Sequence, residues 1–121
     1  MRIPILRQGD VFVVALQESM DDADLERLRA DLAERVGSTR SAGLVLDVSS
    51  LDVMDSFSTR MLLGIVNVAE LRGADAVIVG IQPDVAFAMV QLGITLEGVH
   101  TALDLEEGLI LLAARRRKRA R

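Results

Sequence analysis

One stretch decides the fold: residues 43–73 read GLVLDVSSLDVMDSFSTRMLLGIVNVAELRG. Its first residues are apolar without alternation up to Asp47, which is typical of a parallel strand that is buried on both faces. A loop with several polar residues follows. From Ser56 to about Arg72 the apolar side chains have helical spacing, and Gly73 can act as the C-cap. A buried strand, a loop and a helix in this order predict one unit of an α/β fold.

The segments on either side repeat the alternation of strand and helix. Apolar runs on both sides of the turn-like residues 8–10 predict an opening hairpin, and Asp104 with Glu107 matches a capping box before the last helix. The predicted elements are strands over 3–6, 11–16, 43–47, 76–80 and 98–101, and helices over 21–37, 56–72, 83–93 and 105–114. This order predicts a single α/β domain with a mixed sheet of four or five strands and about four helices.

The composition argues against several classes of function. The 121 residues contain no Cys, no Trp, no Tyr and one His. Disulfides and thiolate sites are excluded, a histidine-rich zinc site is disfavoured, and base stacking has almost no platform. No segment matches a signal peptide or a membrane span, which needs about 20 apolar residues. We therefore expect a cytoplasmic protein without a cofactor or a bound metal.

Charge is distributed unevenly along the chain. Residues 1–114 carry 18 acidic and 8 basic side chains, whereas the segment 115–121 holds the other six of the 14 basic residues. An acidic body repels nucleic acid and favours a protein partner with a basic surface. We predict that the domain spans 1–114 and that 115–121 is a disordered basic tail. The alternative is a nucleic-acid or membrane adaptor that uses this tail.

Ser56 follows the carboxyl end of a predicted buried strand, where α/β proteins place functional groups. The residues alone leave two interpretations: its hydroxyl is a helix cap, worth about 1 kcal/mol, or it is a functional group. A serine hydrolase is a weaker alternative, because no Gly-x-Ser-x-Gly elbow surrounds Ser56 and His100 is the only histidine. Asp52 and Asp55 could bind a cation, yet no further ligands follow at suitable spacing.

The loop before Ser56 resembles that of a known family. Met54-Asp55-Ser56, between the strand 44–47 and an apolar helix, resembles the phosphorylation loop of STAS domains, which occur as anti-sigma-factor antagonists and in sulfate transporters. Further segments are similar to the small single-domain scaffold subunits of the bacterial stressosome, the RsbS type: 3–6, 52–57, 80–83, 91–94 and 101–109.

One departure from the wider family bears on the function. Ordinary anti-sigma-factor antagonists carry Asp-Ser-Ser-Gly or Asp-Ser-Thr-Gly at this site, whereas here Phe57 and Ser58 follow Ser56. The departure favours the stressosome type. A free-standing anti-sigma-factor antagonist regulated by serine phosphorylation is the alternative.

The resemblance implies a role for each residue of the loop. Ser56 is implied to be the phosphoacceptor of a switch serine kinase of the RsbT type, with Ser58 as second choice. The surface implied to dock the kinase consists of Asp52, Asp55, Thr59 and Arg60. The chain is then a non-catalytic scaffold that sequesters the kinase and releases it on phosphorylation. The implied assembly is a large hetero-oligomer with larger RsbR-type STAS paralogues, and a homodimer when alone.

Two features of the helix from Ser56 bear on this function. Arg60 lies one helical turn after Ser56, where its guanidinium could pair with a phosphate on the hydroxyl or simply lie in solvent. Apolar residues leave only a narrow polar strip on this helix. It is therefore either deeply buried or partly shared with another subunit.

Overall fold

The structure is a computed structural model, and it describes residues 3–39, 43–94, 96 and 98–119. The strands are β1 (Leu6–Gln8), β2 (Val11–Ala15), β3 (Gly43–Asp47), β4 (Asp75–Val79) and β5 (His100–Ala102). The helices are α1 (Asp22–Thr39), α2 (Ser56–Leu71), α3 (Pro83–Gln91) and α4 (Leu105–Arg119). The predicted order of strands and helices is confirmed.

The five strands form one mixed sheet in the order of the chain, β1-β2-β3-β4-β5. β1 and β2 are antiparallel, and their turn contains Gly9 at a φ of 64°, a backbone conformation that glycine adopts without strain. β2, β3, β4 and β5 are parallel neighbours. The predicted α/β class and mixed sheet are confirmed, and the carboxyl ends of the four parallel strands meet at one edge.

Helices cover both faces of the sheet, which explains why β3 and β4 are apolar throughout. Leu44 and Leu46 lie in a core with residues of α1, α2 and α3, whereas Val45 lies in a second core with Leu112 of α4. Loops and helix N-termini can therefore present polar groups at the carboxyl edge of the four parallel strands.

The outer strands differ from their predicted positions. β1 begins at Leu6 and not at Ile3, since Leu6 is the first residue that pairs with β2. Ile3 and Ile5 are apolar because they pack, half-buried, against the first core. β5 begins at His100, two residues later than predicted, after Gly98 at a φ of 82°. β1 and β5 are each three residues long, and an apolar run of that length does not define where a strand begins or ends.

α2 is apolar on most sides because it lies inside its own domain. It contacts α1 and β4, and its buried residues are Thr59, Met61, Leu62, Ile65, Val66 and Ala69. Packing within the chain therefore accounts for much of its apolar surface. Large exposed apolar side chains remain on both helices: Phe57 and Leu71 of α2 are 44% and 86% exposed, and Phe87 and Val90 of α3 are 65% and 75% exposed.

α4 corrects the prediction for the basic segment. The helix continues through Arg119, so its predicted end at Ala114 and the predicted disorder of the tail are wrong for the described residues 115–119. Arg115 pairs with the buried Asp75 at 3.4 Å, and Arg116 pairs with Asp10. Basic side chains at a helix C-terminus are also favoured by the helix dipole. Ala120 and Arg121 lie outside the described residues.

None of the helices in the described part of the chain combines the length and the apolar character that a membrane span requires.

Candidate functional site

The loop 48–55, which we call the Ser56 loop, joins the carboxyl end of β3 to the N-terminus of α2. Its first residue extends the sheet, since the Val48 amide donates to the Val79 carbonyl at 3.0 Å. Leu51 and Met54 are buried in the core, at 9% and 5% exposure, and hold the loop from below. Between them, Asp52 and Val53 are exposed, so the loop alternates buried anchors with side chains that face outward.

Asp55 is the N-cap of α2. It has extended backbone angles, and its Oδ1 accepts a hydrogen bond of 2.7 Å from the Ser58 amide. This bond, followed by one from the Ser58 hydroxyl, holds the pKa of the Asp55 carboxyl below its ordinary value of 3.8. The capping interpretation of Ser56 is therefore wrong: Asp55 makes the cap, and Ser56 is the first residue of the helix.

Ser56 lies half-buried on the first turn of α2, and two apolar residues near it in sequence are exposed. Val53 is 77% and Phe57 is 44% exposed. A helix N-terminus carries partial positive charge and unpaired amides, so a phosphate on the Ser56 hydroxyl would be accommodated there without unfolding the helix. The first turn of α2 therefore offers a partner a half-buried hydroxyl that lies in sequence between the ionised Asp55 and the exposed Phe57.

Two further residues of the first turn carry hydroxyl groups, Ser58 and Thr59. Ser58 is half-buried, and its amide donates a hydrogen bond to the Asp55 carboxylate. Thr59 has no exposed surface, and its hydroxyl donates to the Asp55 carbonyl at 2.8 Å. Thr59 is therefore not part of a docking surface, contrary to the prediction. Arg60 is exposed one turn after Ser56, as the spacing predicted.

Asp52 is held by two side chains that sequence reasoning missed. Its amide donates to Glu18 Oε1 at 2.8 Å, and its Oδ1 accepts from Gln82 Nε2 at 3.0 Å. The same Gln82 nitrogen donates to the Ser49 carbonyl at 2.8 Å. Gln82 follows β4 and Glu18 follows β2, so only their position after neighbouring parallel strands could have indicated them. Asp52 thus shapes the loop as well as contributing charge.

The described residues offer no place for a metal or a triad. They contain no group of three or more His, Cys, Asp or Glu side chains that could hold a metal ion. His100 is the first residue of β5 and pairs in register with Val77, whereas the Ser56 loop follows the last residue of its strand. His100 therefore lies level with the middle of β4 and two strands away from β3, which argues against a serine hydrolase.

Comparison with known proteins gives a family and close structural relatives. A family model described as the STAS domain matches residues 2–108. The chain is 38% identical to a Moorella thermoacetica RsbS variant with a serine-to-glutamate substitution; the TM-score is 0.85, and the match covers 97% of this chain and 99% of that one. A chain from a structure described as the molecular architecture of the stressosome, a signal integration and transduction hub, is 39% identical with a TM-score of 0.83, covering 94% and 99%.

A longer relative is also similar. The RsbT co-antagonist protein RsbRA of Bacillus subtilis (strain 168) is 27% identical over 107 residues, which are 88% of this chain and 38% of RsbRA. The chain thus spans well under half the length of that relative.

Proposed function

This chain belongs to the STAS domain family, and on that premise we propose that it is a non-catalytic signalling scaffold of the stressosome, regulated by phosphorylation of Ser56. The resemblance predicted from the sequence is confirmed, since RsbS is similar over nearly the whole chain. In the proposed role the unmodified protein sequesters an RsbT-type serine kinase in the cytoplasm. Phosphorylation of Ser56 by that kinase then ends the association.

One observation carries the choice of Ser56: its hydroxyl is not needed for the helix cap. Asp55 makes that cap, and Thr59 donates to the Asp55 carbonyl, so the start of α2 is held without the Ser56 side chain. A phosphoryl group on Ser56 would therefore change the surface and leave the helix in place. In the transfer, the Ser56 Oγ forms a bond to the γ-phosphorus of ATP as the bond to the bridging oxygen breaks; ADP leaves, and the hydroxyl proton passes to the kinase.

Release of the kinase follows from the added charge. A phosphoserine carries about −1.5 to −2 charges at neutral pH. Ser56 must face the nucleotide phosphates in the engaged complex, so the modified residue and the bound nucleotide repel each other. The ionised Asp55 beside it adds like-charge repulsion. The helix N-terminus and Arg60 offset part of this cost within the domain, so the fold survives while the complex is weakened.

The test is phosphate transfer from ATP by the RsbT-type kinase, followed by phosphopeptide mapping. We expect one phosphate per chain on Ser56, none on a Ser56→Ala variant, and normal incorporation in a Ser58→Ala variant, the matched control two residues away. Phosphate on Ser56→Ala at the wild-type rate would overturn the assignment. Circular dichroism of each variant checks that the fold is kept.

Assembly with a larger STAS paralogue of the RsbR type is the second part of the proposal. It is supported by the similarity to RsbRA and to a chain of the stressosome structure. Size-exclusion chromatography with and without the paralogue tests it. A scaffold subunit gives a very large particle with the paralogue and a homodimer alone, whereas a free-standing anti-sigma-factor antagonist stays small in both.

A further inference from the structure

Gln82 connects two loops that are far apart in sequence. Its side-chain nitrogen donates one hydrogen bond of 2.8 Å to the Ser49 carbonyl and one of 3.0 Å to Asp52 Oδ1, 33 and 30 residues away. Gln82 also occupies the N-cap position of α3, yet its side chain does not cap that helix. Both amide hydrogens are thus directed across the carboxyl edge of the sheet to the Ser56 loop.

The backbone before Gln82 is shaped for this contact. Gly80 has a φ of 81°, and a Cβ added there would lie 2.8 Å from the Ser49 Cβ. Only glycine therefore lets the connection between β4 and α3 lie directly against the Ser56 loop. Pro83 then begins α3 and restricts the backbone that follows Gln82. The close approach and the fixed exit direction bring the Gln82 amide within reach of Ser49 and Asp52.

The two hydrogen bonds act on the part of the loop that its apolar anchors do not hold. Leu51 and Met54 are buried, but Ser49, Asp52 and Val53 are exposed. The Asp52 amide is bound by Glu18 and its carboxylate by Gln82, so Asp52 is restrained on both sides. The exposed segment that leads to Ser56 therefore takes its shape from the neighbouring loops.

We propose that Gln82 is a positioning residue for Ser56, which fixes the Ser56 loop in the form that the kinase engages. The proposal rests on the assignment of Ser56 as the phosphoacceptor. A loop already held in shape loses less conformational entropy when the kinase binds it. Loss of the Gln82 bonds therefore acts on KM more than on kcat.

Three variants test the proposal. Gln82→Leu removes both donors at similar size, Gln82→Glu replaces them with a carboxylate beside Asp52, and Gln91→Leu is the matched control at the exposed end of α3. We expect faster amide exchange over residues 49–53 in both Gln82 variants. We also expect KM for Ser56 phosphorylation to rise about fivefold in Gln82→Leu and more in Gln82→Glu, with kcat staying within about twofold, because the variants mainly raise the cost of ordering the loop on binding.

The outcomes separate this proposal from the proposed function. If both Gln82 variants are phosphorylated on Ser56 with the KM of the wild-type protein, and their amide exchange is also unchanged, only the positioning role is overturned. A purely space-filling role would make the isosteric Gln82→Glu the milder change, and that order would also overturn it. If the kinase fails to modify Ser56 in the wild-type protein, the proposed function falls, and the positioning role falls with it.

Discussion

Asp55 and Ser56 are neighbours, and the structure gives them different tasks. Both residue types are good N-caps, so the sequence predicts where α2 begins but cannot tell which of the two makes the cap. The backbone decides, because Asp55 keeps extended angles and its carboxylate reaches the Ser58 amide. The consequence is functional: the residue that stabilises the helix is not the residue that we propose is modified.

The lowered pKa of Asp55 predicts how the stability of the protein depends on pH. The carboxyl has a folded-state pKa below 3.8, so its contribution to stability is fully present above that value and is lost as the pH falls through the folded-state pKa. Asn caps a helix but does not titrate. We expect the stability advantage of wild type over Asp55→Asn, measured by urea unfolding, to shrink as the pH is lowered below 3.8. A difference that stays constant with pH would contradict this role of Asp55.

At the scale of elements, α4 shows why its end could not be predicted. The residues after Ala114 form a run of like charge, which taken alone is typical of a disordered tail. Their partners, Asp75 and Asp10, are far away in sequence and come near only when the sheet forms. The capping box at the other end of α4 is local and was predictable: the Glu107 amide donates to Asp104 Oδ1 at 2.9 Å.

The pair between Arg115 and Asp75 is testable as a stabilising contact of α4. Asp75 is buried at 2% exposure, and the Arg115 side chain is 38% exposed. Removing the cation leaves the buried carboxylate with fewer partners, so we expect Arg115→Met to lower the free energy of unfolding by about 1–2 kcal/mol. Arg117→Met, at an exposed position on the same turn, is the control and should be within about 0.5 kcal/mol of wild type. Equal effects of the two changes would contradict the contact.

At the scale of the whole molecule, the alternation of elements and the mixed sheet could be predicted from periodicity, because each element carries its own apolar pattern. The contacts across the carboxyl edge could not. Glu18, Asp52 and Gln82 lie on three separate loops, and only the parallel strand order brings them together. The family resemblance implies that Ser56 is the phosphoacceptor, which stays a prediction, but it could not indicate that Thr59 is buried or that Gln82 bonds to the loop.

The same edge is strongly acidic. The carboxyl ends of the parallel strands and the loops and helix N-termini after them carry six acidic residues: Glu18, Asp47, Asp52, Asp55, Asp84 and Asp104. A kinase that docks there must present a basic surface, and a phosphate added at Ser56 increases the negative charge of this edge. We therefore propose that phosphorylation of Ser56 changes binding at this edge and leaves the fold in place.

The affinity of the RsbT-type kinase for this protein before and after phosphorylation of Ser56 tests the central claim most directly. Isothermal titration calorimetry would compare unmodified protein with protein that carries one phosphate, confirmed by mass, and circular dichroism would check that both are folded. We predict that the phosphorylated form binds at least about tenfold more weakly, a difference of ~1.4 kcal/mol. Equal affinity of the two folded forms would contradict the account.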